Sequence, residues 1–316
     1  MLISIAIPCY KSEKTIENVV NEIRDTINKD GRYDYQIILV NDYPFDNTFS
    51  VIQRLCAEDP KIVGVNLSRN FGQTSAKLAA LSYVKGDVLV YMDDDGQHPA
   101  EGIIPLAEKV LEGNDVVYAY FKNKQHSLFK RLTSKLNAKM SELNGTRVKG
   151  VHVSSFYAIS RFAVDAYEGY DSPFPSMMGY LNTMIGKTTE IEMEHRARMA
   201  GHSNYSLDKL LKLWLNGFTN FSTKPLRFIA FMGIAFAILG FLGGLGVIVT
   251  KLCFWNFVAA GYPSTMATLL FIGGLILLAL GFIGEYIGRI YMTLSNLRQY
   301  RVREVVNDPN KNQFDF

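Results

Sequence analysis

The chain has 316 residues, of which 48% are hydrophobic, 12% are aromatic and 20% are charged. This composition excludes a disordered, collagen-like or disulfide-scaffold protein, and the length suits one large domain or two small ones. Its 33 basic and 30 acidic residues leave a formal net charge of +3, well short of the strongly basic balance of a nucleic-acid-binding protein. We therefore expect no nucleic-acid partner.

Apolar, strand-like runs alternate with helix-like stretches through the first 120 residues or so. The strands are predicted at Ile3–Ile7, Gln36–Val40, Ile62–Asn66, Val88–Met92 and Asp115–Ala119. The helices are predicted at Lys14–Asn28, Asn47–Cys56, Thr74–Val84 and Gly102–Leu111. Nearly all-apolar strands separated by amphipathic helices favour an α/β domain, with a mostly parallel sheet that is covered on both faces.

Polar residues follow three of the predicted strands, at the carboxyl ends where parallel sheets bind their ligands. The first strand leads into Pro8-Cys9-Tyr10, the second into Asn41-Asp42, and the fourth into Asp93-Asp94-Asp95-Gly96-Gln97-His98. Acidic residues at such positions suggest a cation and a polyhydroxy, phosphorylated ligand. No G-x-G-x-x-G or G-x-x-x-x-G-K-S/T motif follows any of these strands, which argues against a dinucleotide or P-loop site.

The three consecutive carboxylates would repel one another unless a cation lay beside them. Hard oxygen ligands such as those of Asp93, Asp95 and Gln97 favour Mg²⁺ or Mn²⁺, which bridges carboxylate and diphosphate oxygens. An exposed acidic turn or helix N-cap is the alternative interpretation of this run when it is considered alone.

Two uncharged runs near the C-terminus are each long enough to cross a bilayer. Residues 228–250 form a run of 23 residues, and residues 264–284 form a run of 21. Basic residues flank the pair on its outer sides, at Lys224, Arg227, Arg289, Arg298, Arg301 and Arg303. By the positive-inside rule, this arrangement predicts two transmembrane helices with both chain termini in the cytoplasm. A buried helix hairpin in a soluble protein is the alternative.

A stretch with apolar residues at helical spacing, Leu207–Phe218, lies just upstream and includes Trp214. It predicts an amphipathic helix in the headgroup plane, within an interfacial segment at residues 206–227. An ordinary core-packing helix is the alternative. Residues 1–205 hold no spanning candidate, so we expect them to form a cytosolic domain, and we expect residues 285–316 to form a cytosolic tail.

Six motifs occur in the order that is seen in family-two glycosyltransferases of the GT-A fold. They are Pro8-Cys9-Tyr10, Val40-Asn41-Asp42, Ser68-Arg69-Asn70-Phe71-Gly72, Asp93-x-Asp95-x-Gln97-His98-Pro99, Arg198-x-x-Gly201-x-Ser203-x-Tyr205 and Pro225-Leu226-Arg227. Together with the segment from Gly284 to Tyr291, they make essentially the whole chain resemble the polyprenyl-phosphate subgroup, which is similar to dolichyl-phosphate mannose synthase. The resemblance implies a nucleotide-sugar-binding GT-A domain, followed by the interfacial helix and a two-helix membrane anchor.

On the donor side, the resemblance implies roles for the residues at the strand ends. Asp93, Asp95 and Gln97 would hold Mg²⁺ or Mn²⁺ on the diphosphate of a nucleotide sugar, and Asp95 would act in catalysis through that ion. Pro8, Tyr10 and Asp42 would line the nucleoside pocket of the substrate site. Asp94 would also bind the substrate.

The resemblance also implies two catalytic arginines, Arg131 and Arg198, that meet phosphate groups. Arg198 and Ser203 would engage phosphate from a loop that covers the site. Arg131, with Ser134 and Asn137 following at helical spacing, resembles the segment that meets a lipid phosphate, and an arginine offers a permanent bidentate charge for that purpose. An ordinary solvated surface position is the alternative for Arg131.

The chain departs from the family pattern at two places. The family usually has Asp-Asp-Gly-Ser after the second strand, where this chain has Asn41-Asp42-Tyr43-Pro44. Around Ser154-Ser155-Phe156-Tyr157, relatives often carry an acidic residue and an Arg, and this chain has neither. These departures concern the nucleoside contacts and the charge on the acceptor side, and the sequence identifies no general base.

A phosphate acceptor is already ionised at neutral pH, because its second pKa is about 6, and it needs no strong base. We therefore expect an inverting, metal-dependent hexosyltransferase that moves one sugar from a nucleotide sugar to polyprenyl (undecaprenyl) phosphate. The reaction would take place on the cytoplasmic face of the bacterial inner membrane and would serve modification of cell-envelope glycans.

Two other functions stay open at this point. One is sugar transfer to a hydroxyl of a lipid-linked saccharide, and the other is a non-catalytic membrane protein that retains the fold. The sequence also leaves open the sugar, the nucleotide and the oligomeric state, a homo-oligomer included.

Overall fold

The computed structural model describes residues 1–121, 148–167, 169–170, 172, 176–193, 224–253, 262–295 and 298–310. The chain divides into two compact units. The first consists of Met1–Trp214 together with Arg298–Phe316, and the second is Leu215–Leu297.

The first unit is an α/β domain around one sheet. Its strands are β1 (Leu2–Cys9), β2 (Asp34–Asn41), β3 (Ile62–Leu67), β4 (Val88–Tyr91), β5 (Val116–Phe121), β6 (Tyr157–Ser160), β7 (Thr188–Met193) and β8 (Val302–Val306). Its helices are α1 (Ile16–Asp30), α2 (Thr48–Glu58), α3 (Gln73–Leu81), α4 (Ile103–Leu111), α5 (Arg161–Asp165) and α6 (Met177–Met184), with a 3₁₀ turn at Ala100–Gly102. Each of the five strands predicted from the sequence overlaps one of β1 to β5.

The order of the strands across the sheet is β7-β5-β6-β4-β1-β2-β3-β8. Strand β1 pairs in parallel with both β2 and β4, and β2 pairs in parallel with β3. Strand β6 is antiparallel to β4 and to β5, while β7 is parallel to β5. The strand order therefore reverses at β1, and sheets of this kind bind their ligands beyond the carboxyl ends of the strands at such a point.

The core lies on both faces of this sheet, because successive side chains of a strand point to opposite faces. Ile5 and Ile7 of β1 pack with Val19 of α1 and other side chains of α1, α2 and α4. Ala6, between them in sequence, packs on the other face with Ala76 and neighbours from α3, α5 and α6. Both sets are buried, which explains why the strands are continuous apolar runs rather than alternating ones.

The C-terminal segment differs from the sequence-based expectation. Residues 285–316 were expected to form a tail, but Val302–Val306 forms β8, which runs antiparallel to β3 at the edge of the sheet. The Asn307 side-chain amide fastens the end of β8 by donating to the carbonyls of Cys56 at 2.7 Å and Ile62 at 2.9 Å. A five-residue strand that pairs over such a sequence distance leaves no local signature, so only the fold reveals it.

The second unit is a helical hairpin. Its helices are α7 (Lys224–Cys253) and α8 (Tyr262–Leu294), which contain the two runs predicted to span a membrane. Within the part of the chain that the structure describes, Phe271–Leu294 is long and apolar enough to cross a bilayer, with a mean hydropathy of 1.9. A shorter apolar stretch, Ile229–Gly240, lies in α7. The two-span anchor thus stays a prediction, and the interfacial helix expected at Leu207–Phe218 lies outside the described residues.

Gly86 allows the chain to pass close to β1 just before β4 begins. A Cβ atom on Gly86 would lie 2.6 Å from the Ser4 backbone nitrogen and 2.8 Å from the Leu2 carbonyl oxygen. These are backbone atoms of the central strand, which cannot move aside as the end of a flexible side chain can. The close approach therefore requires glycine.

We predict that Gly86→Ala lowers the free energy of unfolding by about 1–3 kcal/mol, the usual cost of overpacking. Gly186→Ala is the matched control, because its Cβ would meet no atom within 4 Å. We expect that control to stay within about 0.5 kcal/mol of the wild type. Denaturant unfolding of the purified full-length variants in detergent measures both, and equal stabilities would contradict the prediction.

Candidate active site

Three loops meet at the edge of the sheet where β1, β2 and β4 end. They follow Cys9, Asn41 and Tyr91, and they are neighbours because β1 lies between β2 and β4. The acidic run predicted to bind a cation therefore stands beside the loops predicted to bind a nucleoside. Each of its three carboxylates has different partners.

Asp93 is held from three directions. Its Oδ1 accepts a hydrogen bond from Gln73 Nε2 at 2.8 Å, and its Oδ2 accepts one from the Ser155 hydroxyl at 2.7 Å. Its backbone N–H donates to His98 Nδ1 at 3.0 Å. The carboxylate is partly exposed, and each of its oxygens has a second lone pair that can bind a cation. The sequence predicted no role for Gln73, and it marked Ser155 only as part of a departure from the family pattern.

His98 is buried and its tautomer follows from its contacts. Because Nδ1 accepts from Asp93, the neutral ring carries its proton on Nε2, which lies 3.4 Å from Ser155 Oγ. The ring stacks between Phe121 and Phe156, with centroid distances of 6.1 Å and 4.9 Å. A chain of hydrogen bonds thus runs from His98 through Ser155 to Asp93, and it fixes the first carboxylate of the run.

Asp94 turns toward the loop after β1. It accepts hydrogen bonds from the Tyr10 backbone N–H at 3.0 Å and from the Ser12 hydroxyl. Burial raises the pKa of Asp94, and these hydrogen bonds oppose that shift. The side chain ties the loop after β1 to the loop after β4, a structural role that the sequence did not predict. Its predicted part in substrate binding stays a prediction.

Asp95 and Gln97 lie on the turn that follows, and both are partly exposed. Asp95 Oδ1 accepts from the Gln97 backbone N–H at 3.1 Å, and Gly96 between them has φ of 71°. Within the described residues, no three His, Cys, Asp or Glu side chains converge as a complete metal site. Two carboxylates and an amide oxygen suit an ion whose remaining ligands are water and diphosphate, as is usual for Mg²⁺.

Asp42 is only 3% exposed and has both oxygens engaged by the protein. It accepts from the backbone N–H groups of Phe71 at 2.7 Å and Gly72 at 2.9 Å. Gly72, with φ of 92°, leads directly into α3. Burial raises the pKa of Asp42, and the two backbone hydrogen bonds oppose the shift. The carboxylate thus positions the start of α3, and its predicted contact with a nucleoside stays a prediction.

Exposed aromatic rings stand beside the acidic turn. Tyr10 is 48% exposed and packs edge-to-face on Tyr43 at 5.1 Å, which in turn contacts Phe45 at 5.6 Å. The Lys11 ammonium lies 4.9 Å from the centre of the Tyr43 ring. Tyr43 and Phe45 lie in the loop where the family pattern differs, and they were not predicted to be functional. Pro8, which was predicted to line the nucleoside pocket, is buried.

The predicted phosphate-binding residues cannot be placed in this arrangement. Arg131, Ser134 and Asn137, and likewise Arg198 and Ser203, lie outside the described residues.

Residues 4–167 match the sequence profile of glycosyl transferase family 2. The chain belongs to this family. Residues 224–290 also match the family described as the GtrB C-terminal hairpin, which covers most of α7 and α8. The resemblance predicted from the six motifs is therefore confirmed, and this glycosyltransferase is an α/β enzyme with the mostly parallel sheet that was expected.

Two curated relatives of this glycosyltransferase align over nearly its whole length. The SfII prophage-derived bactoprenol glucosyl transferase of Shigella flexneri is 34% identical over 305 residues, covering 96% of this chain and 98% of the relative. The undecaprenyl-phosphate 4-deoxy-4-formamido-L-arabinose transferase of Proteus mirabilis is 33% identical over 316 residues, covering 98% and 96%.

A solved structure shares the fold. Glucosyl-3-phosphoglycerate synthase from Mycobacterium tuberculosis, crystallised with Mn²⁺, UDP-glucose and phosphoglyceric acid, superposes with a TM-score of 0.50 at 21% identity. The likeness covers 69% of this chain and 79% of that protein. It supports the GT-A fold of the catalytic unit.

The role of Asp42 can be tested with an isosteric change. Asp42→Asn places an amide NH₂ group opposite one of two partly buried backbone N–H groups, so that donor faces another donor in place of the Asp42 oxygen. The Gly72 N–H would keep its second acceptor, Asn70 Oδ1 at 3.0 Å, whereas the Phe71 N–H would lose the acceptor described for it. We predict a loss of about 1–3 kcal/mol in the free energy of unfolding, measured by denaturant titration of the full-length variant.

Asp46→Asn is the matched control in the same loop. Asp46 accepts from the Thr48 backbone N–H at 3.1 Å and from the Thr48 hydroxyl at 2.9 Å. An amide can accept from the first and donate to the second, so we expect a change below about 0.5 kcal/mol. If the two variants lose equal amounts of unfolding free energy, the two backbone hydrogen bonds of Asp42 do not stabilise the protein in the way proposed.

Proposed function

We propose that this glycosyltransferase transfers one sugar from a nucleotide sugar to polyprenyl phosphate, with inversion at the anomeric carbon. The observation that carries the proposal is the pair of full-length relatives. Their names specify different sugars, glucose and 4-deoxy-4-formamido-L-arabinose, but the same kind of acceptor, bactoprenol or undecaprenyl phosphate. Both relatives align with this chain over nearly its whole length although their sugars differ, which supports polyprenyl phosphate as the common acceptor. The sugar that this chain transfers is determined by the assay described below.

On the donor side, Asp93, Asp95 and Gln97 would hold a divalent cation. A Mg²⁺ or Mn²⁺ ion bound there neutralises negative charge on the leaving nucleoside diphosphate. The support is the chemistry of this turn, whose partly exposed oxygen ligands leave room for diphosphate oxygens. Tyr10 adds an exposed aromatic ring at the same sheet edge, packed on the partly buried Tyr43, and such a ring suits stacking of a nucleobase.

On the acceptor side, the chemistry asks for positioning rather than for a base. The acceptor phosphate is ionised near neutral pH, so one of its oxygens can attack directly. That oxygen forms a bond to the anomeric carbon while the bond from this carbon to the donor diphosphate breaks. We assign alignment of the acceptor to Arg131 and Ser134, and contact with phosphate in the covering loop to Arg198 and Ser203.

The chain connectivity supports a two-span anchor. The segments before and after the hairpin, up to Trp214 and from Arg298, belong to the same unit, and β8 pairs with β3. A folded domain stands on one side of a membrane, so a hairpin that leaves it and returns must cross an even number of times. If Phe271–Leu294 crosses, α7 must cross as well. With the flanking basic residues, this supports a location of the catalytic unit and both termini in the cytoplasm of a bacterial cell.

The function is tested by incubating purified full-length protein with undecaprenyl phosphate, Mg²⁺ or Mn²⁺, and a panel of nucleotide sugars. We expect mass spectrometry to detect a lipid monophosphate that carries one sugar, formed from at least one of the donors. Excess chelator should abolish the product. A protein that forms no lipid-linked sugar from any donor would contradict the proposed function.

Asp95→Ala and Asp87→Ala are the matched variants of this assay. Asp95→Ala should lower the rate at least ~100-fold, as expected for loss of a strong transition-state charge stabiliser. Asp87 lies just before β4, at the opposite end of the strand, where it accepts from the Leu2 N–H at 3.1 Å. Asp87→Ala should therefore keep the rate within a few-fold of wild type. Full activity of Asp95→Ala would reject the metal site while leaving the acceptor assignment intact.

The topology can be tested by labelling one introduced cysteine at a time in spheroplasts, in a background with Cys253→Ser that keeps the buried Cys9 and Cys56. We predict that a membrane-impermeant maleimide labels Ala259→Cys, in the connector between the two helices, from outside the membrane. Gln313→Cys should be labelled only after lysis, because the C-terminus would be cytoplasmic. An Ala259→Cys variant that is protected until lysis would contradict the two-span anchor.

A further inference from the structure

Lys77 is an unusual residue of the catalytic unit, because its ammonium group is buried. The side chain is 8% exposed. Among the residues that the structure describes, Lys77 is the one lysine or arginine that is buried. It lies over two aromatic rings, at 5.5 Å from the centre of Tyr91 and 5.2 Å from that of Tyr157. The ammonium donates to the Ser155 carbonyl oxygen at 3.4 Å. A buried cation is costly unless nearby charge or hydrogen bonds compensate for it.

The surroundings of Lys77 connect it to the acidic turn. Lys77 and Gln73 are four residues apart on α3, so they share one face of the helix. Gln73 donates directly to Asp93 Oδ1, whereas Lys77 binds the carbonyl of Ser155, whose hydroxyl donates to Asp93 Oδ2. Helix α3 therefore reaches both oxygens of Asp93, once directly and once through Ser155.

The electrostatics point in the same direction. Burial lowers the pKa of Lys77, and the negative charge of Asp93 opposes that shift. The two tyrosine rings favour the charged form through their faces. The segment Ser154-Ser155-Phe156-Tyr157 has no charged side chain of its own. The positive charge at this place is instead supplied by α3.

We propose that Lys77 is a positioning residue for the donor side of the active site. Its ammonium is a fixed countercharge to Asp93, and it holds Ser155 where the hydroxyl donates to that carboxylate. The countercharge also repels a divalent cation, so the acidic turn binds the ion weakly until the donor diphosphate adds its own negative charge. This inference rests on the divalent-cation site of the proposed function.

The experiment is a titration of donor-free, full-length protein in detergent with Mn²⁺, followed by the electron paramagnetic resonance signal of the free ion. Lys77→Met removes the charge and keeps an apolar stem between the rings. We expect the dissociation constant for Mn²⁺ to fall about 3–10-fold and turnover to fall about 10-fold or more. Tighter binding of the ion with slower turnover would not result from a loss of packing alone.

Two further variants separate the parts of the proposal. Ser155→Ala keeps the ammonium but removes the hydroxyl from Asp93, so turnover should fall without tighter Mn²⁺ binding. Lys85→Met removes an exposed lysine, between α3 and β4, that donates to Asn310 at 2.9 Å. In that variant the dissociation constant for Mn²⁺ and the turnover rate should both stay within twofold of wild type. If Lys77→Met does not fold, Lys77→Gln removes the same charge and is judged by the same criteria.

The outcomes are distinguishable from those of the proposed function. If Lys77→Met binds Mn²⁺ within twofold of wild type, or turns over as fast, Lys77 is not a countercharge and the inference is wrong. If wild type and Asp95→Ala bind Mn²⁺ equally, the cation site itself is wrong, and the inference falls with it. If Mn²⁺ binding depends on Asp95 but not on Lys77, the inference about Lys77 is wrong and the proposed cation site stands.

Discussion

Consecutive carboxylates repel one another, and the end of β4 retains three of them by giving each a different partner. Asp93 is held by side chains of α3 and of the turn before β6, Asp94 by the loop after β1, and Asp95 by a backbone N–H of its own turn. The same contacts that separate the charges also join the loops around the site. The geometry of the sheet edge where β1, β2 and β4 end therefore depends on the separate contacts of these three carboxylates.

The sheet explains why the run lies where it does. Because β1 has β2 on one side and β4 on the other, the carboxyl ends of these three strands lie side by side where the strand order reverses, which is where such sheets bind their ligands. Helix α3 begins at the same edge, and Asp42 fixes its start through Phe71 and Gly72. Its next turns carry Gln73 and Lys77 toward β4. The position of Asp93 thus depends on three features: the strand order, the buried carboxylate of Asp42, and the face of α3 that carries Gln73 and Lys77.

Much of this could be predicted from the sequence, for physical reasons. Strands that are buried on both faces are continuous apolar runs, so β1 to β5 were recognisable, and the ordered motifs identified the family. Lys77 was not recognisable, because Gln73-Thr74-Ser75-Ala76-Lys77 also suits a solvent-exposed helix and only packing shows that the ammonium is buried. Asp42 was expected to face a ligand, since a carboxylate after a strand has the same signature whether it binds substrate or backbone.

Strand β8 has a consequence for how the protein is made. Asn307 donates to the carbonyl of Ile62 across 245 residues of sequence, and the helical hairpin of α7 and α8 lies between them in the chain. During synthesis, the edge of β3 is complete long before its partner leaves the ribosome, and an unpaired edge strand is prone to pair with other chains. The sheet can gain its last strand, β8, only after both helices of the hairpin have been synthesised. Maturation of the α/β domain is therefore coupled to synthesis of the C-terminal hairpin.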